Sequence, residues 1–239
     1  MKNKGVGRRD FLKSAVVSGA AAATGTVTVL PQGAPAQQPA APPAAQPAAG
    51  YAFLNLEEAP FVEALVDHMV PADALTPKGS DLGINVYIDR ALAGAWGKGD
   101  RLYMQGPWKP GVPGQGYQLP LTPAELYRAG IAATNAHCRK AYGKPFDGLD
   151  EQQREEVLVG LSSGKIAFAG GLPVRVFWTT VYQTVMEGMF SDPIYGGNRD
   201  KAGWRMLGFP GVIAVHRENV EKFRDKEFPA DPVSIADMS

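Results

Sequence analysis

The longest apolar pattern in this chain runs from Leu172 to Phe190, where Val174, Phe177, Trp178, Val181, Tyr182, Val185, Met186 and Met189 recur at helical spacing. Apolar positions on more than one face mark this segment as the central helix of a bundle. Its β-branched residues would also suit a strand, but the 3.6-residue period and the length decide for helix. Phe61, Leu65 and Met69 lie four apart, as do Val62, Val66 and Val70, and Pro71 stops that helix. Asn55 with Glu58 reads as a capping box ahead of it, with Pro60 in the first turn. Ile84, Tyr87, Ile88, Ala91 and Leu92 predict a second helix over 81–92. Thr122-Pro-Ala-Glu125 is a capping box with proline at the first helical position; its helix runs to Tyr142 and stops at Gly143. Asp150 opens another, with Val157, Leu158 and Leu161 inward and Gly164 at its end. Val212 to Arg224 predicts a last amphipathic helix, followed by a polar, proline-rich arm over 228–239. The pattern is therefore all-α: a single-domain bundle of about six helices.

Two stretches break the helical periodicity. Residues 103–120 form a Gly/Pro loop with Tyr103, Trp108 and Tyr117 as aromatic anchors, which suit either a protein interface or folding back onto the core. Glu187 to Gly211 carries six glycines, two prolines and Phe190, Tyr195, Trp204 and Phe209. That composition predicts a long, aromatic-pinned loop rather than a regular element, and such loops commonly serve function.

The 187–211 stretch resembles the signature of the gluconate 2-dehydrogenase subunit 3 family. A second block agrees: Phe61 to Pro77, continuing to Ile88–Gly94 and Tyr103–Pro107. The resemblance spans roughly residues 55 to 225. It implies a small, flavin-free subunit of a periplasmic, flavin-dependent sugar-acid dehydrogenase. By the same resemblance the partners are an FAD-containing large subunit, which oxidises D-gluconate to 2-dehydro-D-gluconate, and a multihaem cytochrome c subunit that takes the electrons. FAD and haem c are expected in those partners, and no cofactor in this chain.

The N-terminus reads as an address. Arg8, Arg9, Phe11 and Leu12 match the twin-arginine export pattern, followed by a weakly apolar stretch of small residues and an A-x-A-like cleavage site at Ala34–Ala36. The expected organisation is a signal peptide over 1–36, a Pro/Ala-rich linker over 37–50 and a helical domain over 51–239. Localisation in the periplasm follows, peripheral to the inner membrane through the complex, with no transmembrane segment in the mature chain. The formal charge is zero, but five of the basic residues lie in 1–36, so the remainder is acidic by about four charges. A nucleic-acid partner is not expected.

Catalytic chemistry is sparse in the pattern. Asp67 and His68 are adjacent, and adjacent helical residues point about 100° apart, so they cannot pair with each other. Three widely spaced histidines and one cysteine argue against a metal site. Cys138, the lone cysteine, is either a free thiol or half of a bridge to the large subunit. In the signature stretch Asp192 and Asn198 are expected to satisfy backbone amides and Arg199 to make an ion pair, with direct contact to a sugar acid as the alternative. The partner-interface candidates are Cys138, Asp192, Tyr195, Asn198, Arg199, Trp204 and Phe209. No catalytic, cofactor-binding or metal-binding residue is expected. The competing reading is a stand-alone exported enzyme or sugar-acid-binding protein with the 187–211 loop as its pocket.

Overall fold

In a computed structural model, residues 48–109, 111–212, 217–228 and 231–238 are described. The chain divides into two units, Met1–Gln37 and Gln38–Ser239; the first lies wholly outside the described residues. The export motif and the linker up to residue 47 are therefore outside them as well. Seven helices occur among the described residues: α1 (Glu58–Met69), α2 (Ile84–Ala93), α3 (Pro123–Tyr142), α4 (Glu151–Ser163), α5 (Val174–Phe190), α6 (Ala202–Leu207) and α7 (Asn219–Lys222). Among the described residues there is no strand, only an isolated parallel bridge between Gly211 and Val233.

The helix ends follow local chemistry. Asn55 Oδ1 accepts the Glu58 amide at 2.9 Å and Glu58 Oε2 accepts the Asn55 amide at 3.0 Å. Thr122 with Glu125, and Asp150 with Gln153, make the same reciprocal pair. Each box satisfies amides that a helix start leaves without partners.

α5 is the central helix and packs against α2, α3, α4 and α6. It buries Val174, Phe177, Val181, Val185 and Met189, and its Thr184 hydroxyl meets the Tyr127 hydroxyl of α3. α3 meets α5 at Gly130. A Cβ there would lie 2.1 Å from a Phe177 ring carbon, so glycine is what lets the two helices approach.

The incoming chain is fastened by buried polar groups. Asp89 of α2 accepts three successive amides, from Ala52 and Phe53 at 2.8 Å and Leu54 at 2.9 Å. The Arg128 guanidinium lies 4.3 Å from the Phe53 ring centroid and 3.4 Å from buried Glu58. Burial raises the Glu58 carboxyl above its usual range, and the Asn55 amide and Arg128 only partly offset it. Ala48 is buried and its amide donates to Leu54 O, so the fold takes up the last residues of the expected linker.

Two expectations need correction. The 212–224 helix is reduced, among the described residues, to the four residues of α7. It buries no side chain, and a short helix without an apolar contact has little to hold it. The signature stretch is not devoid of regular structure either, since it contains α6 and the 3-10 turns Pro193–Tyr195 and Arg199–Lys201. In the second loop, Tyr117 packs on the core and donates to Leu121 O at 2.6 Å, whereas Tyr103 stays 76% exposed.

Gly130→Ala should destabilise the protein by about 2 kcal/mol, because overpacking outweighs the roughly 1 kcal/mol that alanine gains in helix propensity. The urea midpoint checks this, and a midpoint equal to or above wild type would mean the α3–α5 contact is looser than described.

Candidate functional site: the loop after α5

The last carbonyls of α5 have no partners within the helix. The loop supplies them. Trp204 Nε1 donates to Phe190 O at 2.6 Å, and Asn198 Nδ2 donates to Ser191 O at 2.8 Å. Asn198 Oδ1 also accepts the Gly203 amide at 2.9 Å, so one fully buried side chain ties the helix end to α6. Trp204 is 5% exposed and meets Phe209 edge-on at 5.3 Å. It anchors the loop's own packing and offers little to a partner.

Asp192 works in the same way. Its Oδ1 accepts the Ile194 amide at 3.0 Å, and its Oδ2 accepts the Ile235 amide of the C-terminal arm at 2.8 Å. The arm is a strap across the loop. Val212 donates to Val233 O at 2.9 Å, Val233 donates to Pro210 O at 3.1 Å, and Lys201 Nζ meets Asp237 at 2.6 Å. Arg199 departs from expectation. Among the described residues it makes no ion pair; its Nη1 donates to Asp81 O at 3.3 Å, and its amide donates to Leu82 O at 3.0 Å, tying the loop to the start of α2.

Asn198, Asp200 and Lys201 all have positive φ, at 46°, 55° and 57°. This is three of the four such non-glycine residues among those described, and backbone strain of this kind commonly collects where function needs a fixed shape.

Residues 56–211 match the family described as gluconate 2-dehydrogenase subunit 3. This chain belongs to the gluconate 2-dehydrogenase subunit 3 family. No curated protein and no solved structure matches it. The family match ends at Gly211, short of the 225 to which the sequence resemblance extended, and it contains all seven interface candidates.

Within this family domain, those candidates do not gather into a pocket. Asp192, Asn198 and Arg199 direct their polar atoms at backbone groups of the loop, the strap and α2. Cys138 is a free thiol buried in the core, where burial pushes it up to about 11. A bridge to a partner would require the two Cα atoms within about 7 Å, so α3 would have to leave the core first. Tyr195 differs from the rest. It is 55% exposed, beside Ile194 at 48%, above a cleft of about 340 Å³ shared with Tyr87, Arg90 and Ala91 of α2.

A larger cleft, about 880 Å³, lies elsewhere between Asp67, His68 and Pro71 on one side and residues 150–152, Arg154 and Glu155 on the other. Asp67 and His68 turn apart as their adjacency requires. His68 Nε2 meets Glu155 Oε2 at 2.8 Å, a pairing across 87 residues that sequence spacing could not signal. Burial raises the Asp67 carboxyl, but Lys78 and the Ser80 amide outweigh it and hold the group below the usual carboxylate range. The cleft offers a solvated acid–base pair without a nucleophile aligned to it, which falls short of a catalytic constellation. Among the described residues no group of three or more His, Cys, Asp or Glu side chains is arranged to hold a metal ion. No helix among them is long and apolar enough to cross a membrane.

Asn198→Ala should cost about 3–5 kcal/mol, from two buried groups left unpaired plus a left-handed backbone imposed on alanine. Asn198→Gly should lose about 1 kcal/mol less, because it keeps the backbone while losing the same bonds. Denaturant unfolding of both variants checks the difference, and equal losses would exclude a strain contribution.

The strap has its own signature in acid. The hydrogen bond from Lys201, with that of the Ser234 amide, lowers Asp237 from 3.8 to about 2. A depressed carboxyl contributes stability above its unfolded value and loses it as pH falls through the folded one. The protection factor of the Ser234 amide, taken against the intrinsic exchange rate at each pH, should therefore fall between about pH 4 and pH 2, ahead of the protection in α5. Simultaneous release of both would show that the strap has no separate opening.

Proposed function

We propose that this chain is the non-catalytic small subunit of a membrane-associated, FAD-dependent gluconate 2-dehydrogenase-like complex. Membership of the gluconate 2-dehydrogenase subunit 3 family over residues 56–211 carries the proposal. In this reading the large flavoprotein oxidises D-gluconate to 2-dehydro-D-gluconate, and a multihaem cytochrome c subunit accepts the electrons. FAD and haem c belong to those partners. The small subunit stabilises the flavoprotein and carries it through the twin-arginine route to the periplasm. The inward-turned polar groups of the 187–211 loop support a scaffolding role over a sugar-acid pocket, since such a pocket needs several convergent polar groups.

The export signal gives the reading its test. A flavoprotein acquires its flavin inside the cell and must then cross folded. If it binds this subunit first, one signal serves both chains. Arginine's planar fork recognises carboxylates bidentately and lysine does not, so a paired lysine is a poor substitute at such an address. Changing Arg8 and Arg9 together to Lys should leave both this subunit and the dehydrogenase activity in the cytoplasm. Activity is assayed in periplasmic and cytoplasmic fractions of cells expressing both chains. Normal periplasmic activity with the Lys-Lys variant would show that the flavoprotein travels by its own route.

A further inference from the structure

Ile194 and Tyr195 stand outward on the turn Pro193–Tyr195. Asp192 fixes the Ile194 amide on one side and the strap on the other. Arg199 ties the residues after the turn to the start of α2. Arg90 reaches along the same cleft. A Cβ on Gly196 would stand 3.0 Å from Arg90 Nη1, and Gly196 has φ +105°, so glycine both permits the turn and leaves room for the guanidinium. Among the described residues no hydrogen bond, ion pair or ring contact engages that guanidinium. Glu187 accepts the Tyr87 hydroxyl at 3.1 Å rather than pairing with Arg90.

This combination has a definite chemical complement. Arginine presents a fork that matches a carboxylate, and arginine and tyrosine dominate the energetics of protein interfaces. Apolar side chains around a charge pair exclude water and strengthen it. A free sugar acid would satisfy the guanidinium but needs hydroxyl partners, and of the two tyrosine hydroxyls at the cleft one already serves Glu187. A protein side chain needs only the carboxylate contact and apolar cover.

We infer that the cleft of Tyr87, Arg90, Ile194 and Tyr195 is where the large dehydrogenase chain docks, seating one of its surface Asp or Glu side chains on Arg90 with apolar neighbours against Ile194 and Tyr195. The inference rests on the subunit reading above and gives it an address on this chain. Both Arg90 and Tyr195 are exposed, so substitutions there leave the core intact.

The test recovers the tagged full-length chain from its own host and reads flavin absorbance per mole of chain in the eluate. Affinity is then measured with the purified flavoprotein. Arg90→Glu should weaken binding about 100-fold or more, since it opposes two like charges at the interface, and Tyr195→Ala about 10-fold. Arg90→Gln should also flatten the salt dependence of binding. Circular dichroism and the urea midpoint confirm that each variant folds. Val159→Ala, an exposed position on α4 outside the cleft, should leave affinity within about twofold, the range expected of a residue away from the contact. Wild-type chain that brings no flavin with it would overturn the subunit reading and this surface together. Wild-type binding that survives both cleft substitutions would overturn the surface alone, as would a loss on Val159→Ala. Arg90-dependent binding of gluconate by the chain without any partner would reassign the cleft to a small ligand.

Discussion

The exposed carbonyls at the C-terminal end of α5 dictate the path of the chain beyond it. A helix end leaves such groups without partners, and burying them unpaired costs about 1–3 kcal/mol each. Here the donors are side chains 7 and 14 residues downstream, Asn198 to Ser191 O and Trp204 to Phe190 O. The chain has to fold back over the helix end to deliver them. That return buries Trp204, places Phe209 against it, and sets Asn198 in a left-handed conformation from which its amide reaches both Ser191 and Gly203. The glycine-rich composition of the stretch is a consequence of this geometry, since the backbone passes so close to α5 that a Cβ on Gly203 would lie 2.3 Å from Met189 O.

The same device recurs at the other end of the domain. Asp89 gathers three amides of the incoming segment, as Asp192 gathers one from the loop and one from the strap. A buried carboxylate that accepts several amides is satisfied where it stands, because charge-assisted bonds replace the water it loses. Both ends of the described chain are thereby fastened to α2 or to the end of α5. The incoming segment folds onto α2 through these three amides.

The parts of this architecture that are legible in the sequence are the ones written locally. Two capping boxes, the Asp150 start, the proline after α1 and the glycines closing α3 and α4 act within a few residues of the element they limit. Gly130 lies inside the α3 pattern, but nothing local signals that it meets Phe177. The features that escape depend on distant partners. Nothing near Asp192 signals Ile235, and nothing near His68 signals Glu155. Composition suggests a carboxylate for Arg199, but the fold brings it to a carbonyl at Asp81. The 212–224 pattern has helical spacing, but α7 buries no side chain and is short accordingly. Tyr195 stands among the interface candidates by its place in the signature stretch, whereas its neighbours Ile194 and Arg90 become visible only once α2 and the loop share a cleft.

The strain in the loop is informative about what the loop is for. Asn and Asp tolerate a left-handed backbone better than other residues, but Lys201 has no such excuse. Glycine at 201 would relieve about 1 kcal/mol or more of backbone strain. It would also remove the ammonium that meets Asp237 and closes the strap over the loop. The lysine side chain and the strained backbone thus come as a unit, and together they maintain the fixed placement of the strap and the turn beneath it. That fixity serves the closure of the helix end, and it also bears on association: a contact already held in its bound shape loses about 0.5–1.5 kcal/mol less per ordered side chain. The outward pair Ile194 and Tyr195 rests directly on this braced geometry.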